Sequence, residues 1–231
     1  MKKKFDIRQW ILVTDFNPLT IWWYDRNYAR FSVEDYSPNN LRNRYIHLTN
    51  NSITKNSNNF YFNEIRECMW HGEELQEYLR KTWGRDIWTE KVVPEMKKII
   101  IHSLECVQEI IENRKNSFEL YGYDIMLDEH WNPWLIEVNS SPAMDYSTSV
   151  TEELVQEVME DTVAVVTDWH YASWRGKDHV DTGHWRILHR SKMQVERPTC
   201  AFGLNLLWEG KAIRRKKYVS TKPKATTKVK K

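Results

Sequence analysis

Residues 121–142, YGYDIMLDEHWNPWLIEVNSSP, restrict the fold of this chain more than any other segment. Residues 121–127 and 134–139 are rich in β-branched and aromatic side chains, and the six residues between them are typical of a turn. The pattern predicts a β-hairpin in which Asp128 pairs with Pro133 across a four-residue loop.

The predicted register places a carboxylate on each strand of this hairpin. Asp124 lies opposite Glu137, and Gly122 lies opposite Asn139. Strand alternation then puts both carboxylates and Asn139 on one face, where Gly122 leaves room beside them. Like charges on facing strands repel unless a cation lies between them, and oxygen ligands without Cys or His favour a hard ion such as Mg²⁺. The alternative is a solvated polar face that binds nothing.

Apolar periodicity divides much of the remaining chain into strands and helices. An antiparallel meander of strands is predicted at residues 5–13, 19–24 and 28–32. Helices are predicted at residues 64–80, 90–113 and 149–169. These elements predict an α/β (α+β) fold with a largely antiparallel sheet and flanking helices.

Local signals mark the beginnings of two of these helices. Thr89 is the predicted N-cap of the second helix, and Pro94 falls in an early turn, where proline is tolerated. Ser149 is predicted to begin the third helix in a capping box with Glu152.

Charged side chains on the first strand form a second candidate site. Lys4, Asp6 and Arg8 fall on one strand face by period two, and Arg30 lies on the third strand. The seven glycines provide neither GxGxxG nor GxxxxGK[ST], so a bound nucleotide would be held by charged side chains and metal. Lys and Arg neutralise phosphate oxygens while Asp orients them. The alternative is a surface ion-pair ladder.

The segment HLTNN adds polar candidates. Thr49 and Asn50, expected at the end of a short strand within residues 45–53, have side chains that could reach phosphate, metal or ribose. Turn capping is the commoner use of such residues and stays open as the alternative. His47 is expected to be packed or hydrogen-bonded rather than to act as a base.

Charge is distributed unevenly along the chain. The formal net charge is +2, but ten of the 34 Lys and Arg and none of the acids lie in residues 211–231. Residues 1–210 therefore carry 24 basic and 32 acidic residues, about −8 in all. The tail lacks apolar periodicity, which predicts disorder; it is expected either to bind polyanions or only to aid solubility or targeting. The acidic body without a nucleic-acid motif argues against a nucleic-acid partner.

Cysteine spacing and hydropathy bear on the compartment. Cys68, Cys106 and Cys200 form neither a CxxC pair nor a ligand cluster, so a zinc site and a disulfide framework are not indicated and a reduced cytosolic setting fits. The start MKKKFDIRQW lacks the apolar run of a signal peptide, and no stretch of 18 apolar residues occurs. Neither secretion nor a membrane span is expected.

The strings KFDIRQWILVTDFNPLTIWWY, YARFS, HLTNNSI and FELYGYDIMLDEHWNPWLIEVNSSPAM, in this order, resemble the tubulin-tyrosine-ligase-like family. The resemblance implies that residues 1–170 form the C-terminal lobe of an ATP-grasp fold, followed by an unassigned extension at residues 171–210. VTDFNPLT, SFELYG and STSVTEELVQEVMEDT look most like the glycine ligase (glycylase) branch of the family.

The resemblance also implies roles for single residues. The residues that match the family's magnesium ligands are Asp124, Glu137 and Asn139, with Glu137 expected to bridge two ions. The residues that match its nucleotide contacts are Lys4 and Asp6 in the KFDIR motif and the pair Thr49 and Asn50. The residues that match arginines near the transferred phosphate and the incoming amino acid are Arg8 and Arg30.

The implied activity is that of an ATP-dependent protein-glycine ligase. With ATP and Mg²⁺ it would add glycine to glutamate side chains of tubulin through an acyl phosphate, in the cytoplasm, the cytoskeleton and the axoneme of cilia or flagella. A glutamate ligase of the same family is one alternative, and a catalytically silent fragment that binds microtubules is the other.

One departure from the family is expected to matter. Its members carry, upstream of the KFDIR motif, an N-terminal domain and a segment that supplies the adenine pocket and another phosphate-binding lysine. This chain begins almost at the motif. The expectation is therefore a truncated gene product, a fragment that works with a partner, or a remnant without turnover.

Overall fold

A twelve-residue strand, β1 (Phe5–Phe16), lies at the centre of the sheet in this computed structural model, which describes residues 2–196. β3 (Tyr28–Phe31) and β2 (Leu19–Tyr24) pair with successive parts of β1 along one edge. β5 (Glu119–Leu127) pairs with its other edge. These pairings are all antiparallel, but the predicted meander is wrong in its second step, because β3 pairs with β1 and not with β2.

Three further strands complete the seven-stranded sheet. β4 (Met69–His71) pairs with β3, and β6 (Pro133–Asn139) pairs with β5 as the predicted hairpin. β7 (Trp185–Arg190) pairs with β2 and lies in the extension, 171–210, that the sequence left unassigned. Residues 197–231, which include the tail predicted to be disordered, lie outside the described residues.

Five α-helices flank the sheet within residues 2–196, so the predicted fold class is confirmed. They are α1 (Arg44–His47), α2 (Asn51–Thr54), α3 (Gly72–Trp83), α4 (Val93–Gln108) and α5 (Ser149–Ala164). Single π-helical turns lie at Trp88–Val92 and Val165–Trp169, and 3-10 turns lie at Arg66–Cys68 and Lys177–His179. None of the described helices is long and apolar enough to cross a membrane.

The two faces of β1 are packed differently. The face that α3 and α4 cover contains Ile7, Ile11 and Val13. The face that α5 covers contains Trp10 and Leu12. Asp6 and Arg8 alternate onto this second face, since successive strand residues point to opposite sides. The same sheet face is therefore apolar beneath α5 and charged at the beginning of β1.

The helix predicted for residues 64–80 is wrong in its first half. A 3-10 turn and β4 occupy that stretch, and α3 begins only at Gly72. Glu67 and Cys68 adopt φ angles of 53° and 52°, in the left-handed region that a continuous α-helix excludes. Gly84, at φ 69°, ends α3 in the left-handed conformation that glycine favours.

The second predicted helix is confirmed, with shifted ends. It stops at Gln108 rather than at residue 113, and Pro94 lies in its first turn as predicted. Thr89 is not its N-cap, because the preceding π-helical turn already begins at Trp88.

The predicted beginning of the third helix at Ser149 is confirmed, but its capping pair is different. Thr148 is the N-cap: its Oγ1 accepts a hydrogen bond from the Thr151 backbone N–H at 3.1 Å. The Thr148 backbone N–H donates in return to Thr151 Oγ1 at 3.0 Å. Glu152 is not part of this reciprocal pair, since the box is closed one residue earlier.

The predicted hairpin register is confirmed where the candidate site lies. Asp124 is the cross-strand partner of Glu137, and Gly122 is the partner of Asn139.

The predicted turn of the hairpin is wrong by one residue. Leu127, not Asp128, pairs with Pro133. Asp128 belongs to the loop because its Oδ1 accepts backbone hydrogen bonds within it, from residue 130 at 2.8 Å and from residue 132 at 2.9 Å. A β-bulge at Ile136 adds one residue to β6 and restores the predicted register beyond it.

Candidate active site

Four side chains from four neighbouring strands form a row across the sheet. Tyr28 of β3 is the cross-strand partner of Arg8, Arg8 is the partner of Asp124, and Asp124 is the partner of Glu137. Directly opposed residues point to the same face, and strands lie about 4.8 Å apart, so the row spans about 14 Å. Its members lie on the face that also carries Asp6.

Arg8, Arg30, Asp6 and Asp124 form a buried chain of ion pairs within this row and beside it. Arg8 donates from Nε to Asp124 Oδ1 at 2.5 Å and from Nη2 to Oδ2 at 3.1 Å. Arg30 Nη2 lies 2.8 Å from Asp124 Oδ2. Arg30 also donates from Nε and Nη2 to the two oxygens of Asp6, at 2.7 and 2.8 Å. Two positive and two negative groups thus compensate one another's burial.

The electrostatics of this chain keep its groups charged. Burial raises the pKa of Asp124, but the hydrogen bond from Arg8 and the charges of Arg30 and Arg8 outweigh it, so the net pKa is lowered. Burial lowers the pKa of Arg30, whereas the charge and hydrogen bonds of Asp6 raise it, and the net shift is upward. The Asp124 carboxylate and the Arg30 guanidinium group therefore both stay charged in the neutral pH range.

Thr49 and Asn50 are brought to the site in different ways. They lie in the extended link between α1 and α2, so the strand expected at residues 45–53 is wrong. Thr49 is buried, and its Oγ1 donates to Asp6 Oδ2 at 2.8 Å. Asn50 is exposed and is the N-cap residue of α2, but its side chain makes no capping hydrogen bond. Thr49 therefore supports Asp6, whereas the amide of Asn50 is free to contact a ligand.

Lys4 and His47 lie apart from this cluster. Lys4 precedes β1, is half-buried, and its backbone N–H donates to Ser32 Oγ at 3.1 Å. A ring nitrogen of His47 lies 2.8 Å from the carbonyl oxygen of Asn40, which fits the expectation that His47 is hydrogen-bonded. Neither side chain lines the cavity described below.

The three predicted metal ligands lie together. Asn139 Nδ2 donates to Glu137 Oε1 at 3.2 Å and to Asp124 Oδ2 at 3.4 Å. Glu137 is exposed, whereas Asp124 is nearly fully buried. Within residues 2–196 no three His, Cys, Asp or Glu side chains come close enough to hold a metal ion.

The donor chemistry of these residues fits Mg²⁺. Two carboxylates with an amide oxygen, reached by turning the Asn139 side chain, give hard oxygen ligands, and Mg²⁺ is usually held by one or two carboxylates plus substrate phosphates. The arrangement can thus hold an ion only in part, and the remaining ligands would come from a phosphate and water.

Position 122 requires a glycine for a different reason from the one that the sequence suggested. A Cβ at this position would lie 2.8 Å from Pro142 Cβ and 3.1 Å from Arg8 Cδ. The space beside Gly122 is therefore filled by Arg8 and Pro142 rather than left beside the metal ligands, and the glycine lets Arg8 reach Asp124.

An open cavity of about 380 Å³ lies over the row. The predicted residues that line it are Arg8, Arg30, Asn50, Glu137 and Asn139. Other lining residues include Tyr28, Lys55, Met69, Asp145 and Thr151. Tyr28 carries a signal that sequence reasoning overlooked, because it lies two residues before Arg30 and therefore on the same strand face. A larger cavity of about 630 Å³, beside Lys3 and Trp70, contains none of the predicted site residues.

The sequence of the chain is similar to those of known proteins from one family. The sequence profile of the tubulin-tyrosine ligase family matches residues 1–172. Tubulin glycylase 3C of Tetrahymena thermophila is 48% identical over 219 residues, which are 94% of this chain and 20% of that protein. Tubulin monoglycylase TTLL3 of Danio rerio is 43% identical over 215 residues, or 92% of this chain and 27% of that protein. Protein monoglycylase TTLL8 of Homo sapiens is 41% identical over 219 residues, or 92% and 24%.

The chain spans between a fifth and just over a quarter of the length of these relatives. Their names agree with the glycine ligase branch that the sequence strings predicted, so that prediction is confirmed. Because the family profile matches most of the chain, from the beginning of β1 through α5, this protein belongs to the tubulin-tyrosine ligase family.

Proposed function

We propose that this chain is an ATP-dependent protein-glycine ligase that acts on glutamate side chains of tubulin and that it carries the metal-binding and phosphoryl-transfer residues of that reaction. The observation that carries the proposal is the row of Glu137, Asp124, Arg8 and Tyr28, in which Glu137, Arg8 and Tyr28 line one open cavity and Asp124 is buried between them. The choice of glycine and of tubulin is supported by the names of the relatives. We place this activity in the cytoplasm and on the cytoskeleton, including the axoneme of cilia or flagella.

The reaction joins two groups that do not react unaided. An oxygen of the target carboxylate attacks the γ-phosphorus of ATP, and the bond between this phosphorus and the oxygen that bridges to the β-phosphate breaks. ADP departs, and the target carboxylate has become an acyl phosphate. The glycine nitrogen then attacks the acyl carbon, the carbon–oxygen bond to phosphate breaks, and the nitrogen loses a proton. The products are an isopeptide bond and inorganic phosphate.

Each predicted residue has a role in this scheme. Glu137, Asp124 and Asn139 would hold Mg²⁺, which when bound neutralises charge on the phosphate oxygens. Arg8 and Arg30 are preorganised by Asp124 and Asp6, so their guanidinium groups need little reorganisation to hold phosphoryl or carboxylate oxygens.

The nucleotide contacts remain part of the same proposal. Asn50 lines the cavity and can contact phosphate or metal directly. Thr49 and Asp6 act indirectly, because Thr49 donates to Asp6 and Asp6 accepts hydrogen bonds from Arg30. Lys4, just before β1, would contact the nucleotide.

The test is incorporation of labelled amino acid into tubulin by the 231-residue chain with ATP and Mg²⁺. Glycine and glutamate are offered separately, and incorporation of glycine alone is expected. Glu137→Gln should abolish incorporation, whereas Glu129→Gln, an exposed carboxylate in the turn of the same hairpin, should not. Incorporation of glutamate, or an active Glu137→Gln variant, would contradict the proposal.

A catalytically silent microtubule-binding fragment is favoured by one observation, the ten basic and no acidic residues at 211–231. Binding that rests on these charges should weaken steeply between low and physiological salt. It should persist in Glu137→Gln and disappear when residues 211–231 are removed. Co-sedimentation with microtubules at several salt concentrations separates this function from ligation.

A further inference from the structure

In the row of Glu137, Asp124, Arg8 and Tyr28, Tyr28 lies farthest from Glu137. Its side chain is 4% exposed, and it lines the cavity together with Arg8 and Arg30. The ring packs against Trp10 with centroids 5.4 Å apart and belongs to the apolar core beneath α5. The ring is therefore held in place, and its position does not depend on the hydroxyl group.

The hydroxyl group of Tyr28 has no hydrogen-bond partner among residues 2–196. A buried tyrosine usually satisfies its hydroxyl, as Tyr24 does with Asp161 Oδ2 at 2.9 Å and Tyr123 does with Ser103 Oγ at 2.9 Å. Because Tyr28 lines an open cavity, a ligand atom in that cavity can be the partner that its hydroxyl group lacks.

The surroundings of this hydroxyl favour an anion. Burial is the main cause that raises its pKa, and the charges of Asp124 and Asp6 add to this against those of Arg8 and Arg30. The hydroxyl is therefore protonated at neutral pH and can donate. The two guanidinium groups beside it attract the same kind of partner, a carboxylate or phosphate oxygen.

Position along the row selects between these two anions. The carboxylates that would hold Mg²⁺ lie toward the other end of the row: Asp124 is two strand spacings, or about 10 Å, from Tyr28, and Glu137 is three spacings, or about 14 Å, from it. An anion that contacts Tyr28 is separated from the metal ligands by Arg8. A small molecule with its own carboxylate, bound beside the phosphoryl group, matches this position.

We propose that the Tyr28 hydroxyl donates a hydrogen bond to the carboxylate of the incoming amino acid, which Arg30 and Arg8 hold from the other side. Tyr28 is then a substrate-binding residue of the ligase, and this assignment rests on the proposed function. It places the amino acid at the β3 end of the cavity and the phosphates at the β6 end.

The test compares Tyr28→Phe with Tyr123→Phe in the 231-residue chain. Tyr28→Phe keeps the ring and removes only the hydroxyl. Because a hydrogen bond to a charged group is lost, the KM for glycine should rise about tenfold or more, with kcat and the KM for ATP within about twofold. Tyr123→Phe removes a buried hydroxyl on the opposite sheet face and should leave all three values unchanged.

A binding measurement makes the test independent of turnover. Glycine added without ATP should raise the Tm of the wild-type chain and of Tyr123→Phe, and this rise should be lost in Tyr28→Phe. Equal glycine dependence in wild type and Tyr28→Phe overturns the assignment. An increase confined to the KM for ATP or for tubulin overturns it as well, since the hydroxyl then serves another anion. Glycine-dependent stabilisation without incorporation contradicts the ligase proposal but not the Tyr28 contact, whereas absence of both contradicts both.

Discussion

Arg8 and Asp124 are cross-strand partners and are also joined by two hydrogen bonds, at 2.5 and 3.1 Å, between side chains that are 7% and 4% exposed. Arg30 shares the same carboxylate. Asp124 therefore links three strands, and its removal would leave the buried guanidinium group of Arg8 without an ion-pair partner among the described residues, whereas Arg30 would keep Asp6. Glu137, its neighbour in the row, has no ion-pair partner among the described residues and is exposed, so the two candidate metal ligands differ in what they do for the fold.

Asp124→Asn should destabilise the fold severely. Removing one member of a buried ion pair costs about 3–5 kcal/mol, because the remaining charge stays buried. Urea unfolding of the variant should show this loss in the free energy of unfolding. Asp35→Asn, which removes an ion pair to Lys3 from a carboxylate that is 66% exposed, is the control and should change it by less than about 1 kcal/mol. Equal losses in the two variants would contradict the buried network.

Glu137→Gln should leave the fold intact and remove the response to metal. Its side chain is exposed and, among the described residues, hydrogen-bonds only to Asn139, so the free energy of unfolding should change by less than about 0.5 kcal/mol. Mg²⁺ with ATP should raise the Tm of the wild-type chain but not of the variant. A variant that is stabilised as much as wild type would exclude Glu137 as a ligand.

Gly122→Ala should destabilise the hairpin by about 1–3 kcal/mol, the usual cost of overpacking. The new Cβ would meet Pro142 and Arg8, and Arg8 can yield only by weakening its bond to Asp124. Gly176→Ala is the matched control, since its nearest neighbour is the side chain of Ser173 at 3.1 Å. Urea unfolding compares the two, and a loss no greater for Gly122→Ala than for the control would argue against the close approach of Arg8.

Glu67 should make the stability of the fold depend on acid pH. Burial raises its pKa, but hydrogen bonds from the Ser149 hydroxyl and backbone N–H, at 2.6 and 3.0 Å, lower it further than burial raises it. Because the folded pKa lies below the unfolded value of about 4.3, the contribution is complete above that pH and is lost as the pH falls through the folded pKa.

The measurement is urea unfolding of wild type and Glu67→Gln between pH 7 and pH 3. The difference in unfolding free energy between them should be largest near neutral pH and should shrink toward pH 3. Ser149→Ala removes one of the two hydrogen bonds and should reduce the same difference. A difference that does not vary with pH would show that Glu67 does not anchor the beginning of α5.

The hairpin shows how far local sequence rules reach. Alternation and a turn-forming loop were sufficient to predict that Asp124 faces Glu137 and Gly122 faces Asn139. The same rules could not predict that the loop begins at Asp128. Asp128 belongs to the loop because its side chain accepts hydrogen bonds from backbone N–H groups within it.

The site could be predicted only in part for a related reason. Period two correctly put Asp6 and Arg8 on one face, but it carries no information about which carboxylate each arginine contacts across the sheet. That pairing depends on strand order, which brings β5 to one edge of β1 and β3 to the other. The helix predicted at residues 64–80 failed similarly: Glu67 adopts a left-handed backbone and accepts a hydrogen bond from Ser149, 82 residues away, and local periodicity carries no information about such a contact.

The bulge at Ile136 separates the hairpin into two parts that can change independently. On the loop side Leu127 pairs with Pro133, and on the site side Asp124 pairs with Glu137. Loop exchanges that keep the Leu127 and Pro133 pair should therefore leave the carboxylates in place, which makes the loop a suitable point for inserting an epitope or a fluorescent label. Deleting Ile136 would remove the bulge and make Leu135 and Glu137 consecutive, and because their partners Ile125 and Asp124 are also consecutive, both residues would keep their sheet faces.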